Sequence, residues 1–345
     1  MNIQEHRKDE HVFIAEKLYH SQSNNQLDEI KLLFNNIPEI AVQDVSLKTT
    51  LMGYPIDVPF FINAMTGGSP ETDKINFKLA TVANYCQIPF ATGSASVALK
   101  NPESQKGFKK LRSLTPDTLL FTNLGAGNNL KNASAILKLT HADGLQLHLN
   151  VAQELVMTEG DRQFYWRQNI EQIVNKLSKP VMLKEVGQGI YPLTLKSLRN
   201  SKVKYIDLAA GGGTNFINIE NERRHDKHDY SYLSNIGLTL AQSLVGAQPF
   251  RNDFSLTASG GIRNALEIVK SLVMGADNVG ISGYFLHTLI KEGTEGLIDK
   301  INLLKEEIKN IMVLLGCRCI KELHNIPYIL SPDLNNFKEQ LKNKQ

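Results

Sequence analysis

The stretch FSLTASGGIRNALEIVKSLVMGADNVGISG (254–283) decides the fold. It opens on a short apolar run and breaks at two glycines. It then carries apolar residues at helical spacing through ALEIVKSLVMGA and closes on a second run that again ends in glycine. A strand, a crossover helix and a second strand within about thirty residues make the parallel βαβ unit. Outward from it, FFINAM (60–65), IPFATG (88–93), TLLFTN (118–123), GLQLHLN (144–150), PVMLKEV (180–186) and YIDLAAG (205–211) repeat the first half of that pattern. Most successive starts lie about 25 to 36 residues apart, room for one crossover helix each.

Eight such runs without a composition break predict a single α/β domain, a (β/α)8 barrel. An open doubly wound sheet fits less well, since no Gly-X-Gly-X-X-Gly follows the first run. Residues 1–55 are expected to form an N-terminal extension with a helical stretch near 26–35. Residues 56–292 form the barrel, and 293–345 a C-terminal helical segment led by the amphipathic EGLIDKINLLKEEIKNIMVLLGC (295–317). The gap between the sixth and seventh runs is longer, about 49 residues, and holds the polar insertion IENERRHDKHDYSYLSN (219–235). Insertions of this kind shape a site or an interface, and RRHDKH (223–228) reads as an exposed loop or subunit contact.

Composition narrows the function. Of 345 residues 42% are hydrophobic and 21% charged, which excludes a disordered chain. The net charge of +3 gives no field for a nucleic acid. MNIQEHRKDEHVFIA (1–15) has no apolar core of the export type, so a cytoplasmic protein is expected. The uncharged stretches 79–99 and 230–250 hold too many polar residues for a membrane span. Cys86, Cys317 and Cys319 read as reduced thiols, because Cys317 and Cys319 lack a second cluster at metal-ligand spacing.

In a barrel of this kind the chemistry sits at the C-terminal ends of the strands. Those ends read Ala64-Met65-Thr66-Gly67-Gly68, Thr92-Gly93-Ser94, Thr122-Asn123 and Lys184-Glu185-Val186-Gly187. In the fourth run Gln146, His148 and Asn150 alternate with leucines, so the polar three point inward. They make either a satisfied polar layer or a site, and the adjoining Gln153 and Glu154 favour a site. Glu154 suits a general base, a cation ligand or a helix N-terminal charge. Lys184 should also point inward, as a Schiff-base nucleophile or as a fixed charge beside a cofactor that gains electrons. AAGGGTNF (209–216), SGGIRNA (259–265) and GISGYF (280–285) follow the last three strands, where barrels hold a phosphate.

At these residues the chain resembles the type 2 isopentenyl-diphosphate isomerases, flavin-dependent enzymes of isoprenoid biosynthesis. The match runs from RKDEH (7–11) through INAMTGG (62–68), GSAS (93–96), QLHLNVAQE (146–154), Lys184, GGGTNF (211–216) and SGGIR (259–263) to GISG (280–283). The resemblance implies FMN, reduced by NADPH, with Mg2+ as a further cofactor. It implies the interconversion of isopentenyl and dimethylallyl diphosphate with no net redox change. By the same comparison Ala64, Met65, Thr66, Ser94, Asn123, Lys184 and Thr214 line the flavin, and Gly260, Gly261, Arg263, Ser282 and Gly283 take its phosphate. Arg7, Lys8, Ser94, Ser96, His148, Asn150 and Gln153 would face the prenyl diphosphate, and Glu154 would hold Mg2+. Gln153 and His148 are the implied catalytic side chains beside the reduced flavin, which is the main acid/base. A homo-oligomer, tetramer or octamer, is implied, with no nucleic-acid or membrane partner.

Three other functions compete. An FMN-dependent 2-hydroxy-acid oxidase or dehydrogenase would need a His-Gly-Gly-Arg type base and clamp, where this chain has GGGTNF (211–216). A Schiff-base aldolase on Lys184 is the second. A non-catalytic flavin-binding barrel is the third, at odds with the cost of burying the polar fourth strand without a ligand.

Overall fold

The computed structural model describes residues 3–226 and 228–342. Eight parallel strands close into a barrel: β1 (Phe60–Ile62), β2 (Phe90–Ser94), β3 (Leu120–Gly125), β4 (Gly144–His148), β5 (Val181–Lys184), β6 (Tyr205–Asp207), β7 (Ser255–Ser259) and β8 (Asn278–Ile281). They pair in chain order, and β8 closes on β1 through Val279–Phe60, Gly280–Phe61 and Ile281–Ile62. All eight fall inside the runs read from the sequence or within two residues of them. All but β3 are shorter than their runs because the terminal residues leave the ladder to form the loops of the upper rim.

Alternation sorts each strand into two cores. Leu145, Leu147, Leu183, Ile206 and Leu256 are buried outward against the helices. Phe61, Ala91, Phe121 and Met182 point inward and stack on Leu51, Met52 and Ile56, from a hairpin (Thr49–Leu51 with Tyr54–Ile56) that plugs the lower mouth. With its floor filled, the barrel is open only at the C-terminal ends of its strands.

The helices, among them α1 (Ile3–Lys17), α2 (Pro70–Cys86), α3 (Pro102–Leu114), α4 (Leu130–Thr140), α5 (Val151–Val156), α6 (Arg167–Lys176), α7 (Pro192–Leu198), α8 (Phe216–Arg223), α9 (Leu240–Ala247), α10 (Ala265–Val273) and α11 (Gly283–Leu315), obey their local signals. In α2 (Pro70–Cys86), Ser69 caps the first turn by accepting from the Thr72 N–H, and Pro70 sits where a missing N–H costs nothing. Short helices leave the upper rim at α5 (Val151–Val156) and α8 (Phe216–Arg223), while α11 (Gly283–Leu315) starts directly after β8 and breaks at Gly293. Two helices thus meet at Gly293, and the part that follows it, ending at Leu315, is the amphipathic C-terminal helix expected over 295–317.

Three expectations need correction. The helical stretch near 26–35 is instead a single 3-10 turn (Leu27–Glu29) and a strand, Ile30–Leu32, antiparallel to Tyr328–Leu330. Leu27 and Ile30 are fully buried because that pairing clips both ends of the chain against the barrel, a non-local contact that outweighs helical spacing. The segment 293–345 is correspondingly not all helix. Arg223, read as exposed, is mostly buried and holds Glu10 and Glu159 at 3.0 and 3.1 Å together with Glu220. Lys227 lies outside the described residues.

Candidate active site

A cavity of about 950 Å3 opens at the upper rim, and every site residue anticipated from the sequence lines it. Strand ends place Ala64, Met65 and Thr66 after β1, Ser94 on β2, Asn123 on β3, His148 on β4 and Lys184 on β5. The glycine loops after β6, β7 and β8 form one wall. Gly261 has φ +72° and lies so close to the preceding loop that a Cβ there would sit 2.2 Å from Gly212 O. Only backbone fits between these turns, which is how a phosphate cradle is built. Arg263 lies beside them, stacked over the Tyr19 ring at 5.2 Å.

The roof is α1 (Ile3–Lys17). Arg7, Lys8 and His11 line the cavity from it, their i, i+1 and i+4 spacing placing them on one side of the helix. Lys8 is buried; desolvation and the neighbouring Arg7 lower its ammonium to about 8, against the pull of Glu220. The helix is tied down by side chains on its other positions. Glu10 meets Arg223, Asp9 accepts from Ser69 Oγ, and Glu16 takes His287 at 2.8 Å.

Gln153 is held at both ends of its amide. Nε2 donates to Glu220 Oε1 at 2.8 Å, while Oε1 accepts from Asn150 Nδ2 at 3.3 Å. Glu220, on α8, also meets His11 Nε2 at 2.9 Å and the Arg223 guanidinium. Burial alone would raise its carboxyl, but His11, Gln153 and Arg223 together hold it at about 2. Glu154 accepts from Asn150 Nδ2 at 2.8 Å and from the Asp161 N–H at 2.7 Å.

Lys184 is buried and donates to Glu185 O at 2.7 Å. His148 is neutral: burial, then Lys184 and Lys8, push its imidazolium down to about 3. Glu185 goes the other way. Burial raises its carboxyl to about 7 although the N–H groups of Gln188, Val186 and Gly187 all donate to Oε2.

Sequence reasoning missed Glu220, His11, Asn63 and Tyr19. The first stands in the polar insertion and the second in RKDEH, a segment quoted without assigning its histidine a task. The spacing of Arg7, Lys8 and His11 was the available signal for His11; Glu220 had none, since α8 meets α1 only in the folded chain.

The residues present suit a flavin mononucleotide. The cavity has the size of a cofactor site. Thr66 Oγ1 and Arg263 Nε line it and are buried with no protein hydrogen-bond partner, as is Arg7 Nε from the roof. Buried donors of this kind are stable only when something in the cavity accepts from them. Among the described residues no group of three or more His, Cys, Asp and Glu side chains could hold a metal.

Residues 100–328 match the family model for FMN-dependent dehydrogenases. The isopentenyl-diphosphate delta-isomerase of Latilactobacillus sakei is 45% identical over 336 residues, covering 97% of this chain and 96% of that protein. The enzyme of the same name from Listeria monocytogenes serotype 4a is 41% identical over 334 residues, covering 96% and 93%. Among solved structures, a flavocytochrome b2 variant superposes with a TM-score of 0.66 at 18% identity, covering 97% of this chain and 81% of that one. Mandelate oxidase with (S)-2-phenylpropionate gives 0.63 at 14%, covering 93% and 90%. These two establish the likeness of fold and nothing about the reaction. The close relatives settle the family: this chain is a member of the isopentenyl-diphosphate delta-isomerases, in their FMN-dependent, type 2 form.

Proposed function

We propose that the protein interconverts isopentenyl and dimethylallyl diphosphate by protonating one carbon and deprotonating another, using reduced FMN. The observation that carries this is the meeting of two unlike anion-binding sets in one cavity. The glycine loops with Arg263 form one, and Arg7 with Lys8 on the roof form the other. One suits the flavin phosphate, the other a diphosphate. FMN held there in reduced form would supply electron density and an exchangeable proton.

The chain's own groups do the rest. Lys184, buried at the end of β5 and lining the cavity, offers a positive charge that favours an electron-rich ring. Ser94, Ser96, His148 and Asn150 complete the diphosphate seat, and Glu154 supports Mg2+ shared with it. The Gln153 amide, clamped by Glu220 and Asn150, faces the substrate's alkene and positions it or relays a proton. With α1 across the mouth, bulk water is kept from a carbocation-like transition state.

NADPH is the proposed source of electrons and the cytoplasm the proposed location. Three free cysteines fit a reducing compartment, and among the described residues no helix is long and apolar enough to cross a membrane. Exposed Tyr232 on the insertion and Ile236 just after it support association into a homo-oligomer, tetramer or octamer, of single-domain subunits.

The test is anaerobic incubation with FMN, NADPH, Mg2+ and isopentenyl diphosphate in D2O, followed by proton NMR. Dimethylallyl diphosphate carrying deuterium is the expected product. Flavin-loaded, reduced protein that yields none would remove the isomerase assignment, and hydroxy acids would then be tried.

A further inference from the structure

At the floor of the cavity a line of side chains crosses the barrel from β6 to β4. Asp207 Oδ2 accepts from Asn63 Nδ2 at 2.7 Å, and its Oδ1 accepts from Ser259 Oγ at 2.5 Å and the Ala209 N–H at 3.1 Å. Asn63 Oδ1 accepts from the Ala64 N–H at 2.8 Å and from Gln146 Nε2 at 3.0 Å. Gln146 Oε1 accepts from Asn123 Nδ2 at 3.2 Å, and Asn123 Oδ1 lies 2.6 Å from His148 Nδ1. Asn63 has room only because Gly280 has no side chain; a Cβ there would stand 2.4 Å from Asn63 Nδ2.

The direction of every bond in this line is forced. A backbone N–H can only donate, so the Ala64 bond fixes which end of the Asn63 amide is oxygen, and the Asp207 carboxylate fixes the other end as nitrogen. Asn63 oxygen must then face Gln146 nitrogen, Gln146 oxygen must face Asn123 nitrogen, and Asn123 oxygen is left facing the imidazole. An oxygen acceptor at 2.6 Å requires the proton on Nδ1. The ring is neutral, so Nε2 carries a lone pair, and among the described residues none hydrogen-bonds it.

We propose that Asp207, Asn63, Gln146 and Asn123 act as positioning residues that lock His148 in its Nδ1–H tautomer, so that seating the diphosphate draws a proton from solvent onto His148 Nε2. The second half rests on the functional reading above, which puts the diphosphate against His148. A bare Nε2 lone pair opposite phosphate oxygens is repulsive; an Nε2–H donates to them. No bond of the substrate changes, and the proton comes from water or buffer. The charged groups bearing on the ring are Lys184 from β5 and Lys8 from α1; β3 contributes the uncharged Asn123 and Gly125. Both ammonium groups oppose a third cation before the substrate is seated, and an anionic diphosphate among them reverses that opposition.

Two measurements on the FMN-loaded, oxidised enzyme decide it. Nitrogen-15 NMR of histidine-labelled protein, with His148 assigned by its loss in His148→Gln, should give a protonated Nδ1 and an unprotonated Nε2 before substrate and two protonated nitrogens with isopentenyl diphosphate bound. Calorimetric titration with that substrate in buffers of different ionisation heat, near neutral pH where Lys8 is already charged, should show about one proton more taken up by the wild type than by the variants below. In Gln146→Met the Asn123 amide is free to turn, the Nε2–H tautomer appears in the free enzyme, and the extra uptake is lost. In the isosteric Asn123→Asp the new carboxylate charges the ring in advance, and the uptake is lost with both nitrogens already protonated. A merely structural role for the line would weaken folding but leave the proton count unchanged. An Nε2–H tautomer in the free wild type, or saturable binding with Nε2 still unprotonated, would overturn the proposal. Absence of any binding heat would instead sink the isomerase reading, leaving the tautomer result to stand or fall separately.

Discussion

Gln153 is the side chain whose position matters most for the chemistry proposed here, because both ends of its amide are already committed and its face is what remains. Gln153→Ala should lower kcat roughly a hundredfold or more while FMN absorbance and circular dichroism stay as in the wild type. Full turnover by that variant would free Gln153 of any role. Glu220, its partner, is a structural charge as much as a functional one. Its folded value of about 2 lies below the ordinary 4.5, so its contribution is complete above the unfolded value and is lost as pH falls from there toward 2. Glu220→Gln should cost about 3 kcal/mol at neutral pH, since it removes the buried partner of Arg223 and His11. Urea midpoints measured through that acid window should fall less steeply for the variant than for the wild type.

Helix α1 is the element that turns an open barrel end into a closed cavity. Its sequence mixes charges of both signs and would pass for a solvated tail, yet several of those charges find a partner on another element: Asp9 on the α2 cap, Glu10 on α8, Glu16 on α11. Lys8→Met should raise the KM for isopentenyl diphosphate at least tenfold with little change in FMN affinity, because Lys8 belongs to the roof and not to the glycine wall. In the wild type kcat/KM, which reports the free enzyme, should decline above about pH 8 as Lys8 loses its proton. A profile flat through that region would separate Lys8 from substrate capture. The insertion between β6 and β7 works at the same level: α8 supplies Glu220 beneath the roof, and Ser234, Asn235 and Ile236 line the rim.

For the molecule as a whole, cofactor and fold should be coupled. A ligand held only by the folded state stabilises it by about 3 kcal/mol at roughly a hundredfold excess over its Kd, so the thermal midpoint of the apoprotein should climb with FMN concentration. Gly261→Ala should abolish that climb, because the new Cβ would meet Gly212 O at 2.2 Å and part the two loops. A retained FMN-dependent shift would place the phosphate elsewhere. The barrel itself was legible in the chain: alternation along strands and glycines at their ends are local properties, and Gln146, His148 and Lys184 inherit their inward direction from a period of two. The segment around Leu27 was misread because its strand exists only through Tyr328–Leu330, some three hundred residues away. The burial of Arg223, the clamp on Gln153 and the line from Asp207 to His148 were likewise hidden, since each joins side chains from different elements. Local periodicity thus set the strands, their order of inward residues and the glycine wall. The roof and the protonation state of His148 came from distant side chains brought into contact at low dielectric, where a hydrogen bond's direction and a charge's neighbours have energetic consequences that no local pattern carries.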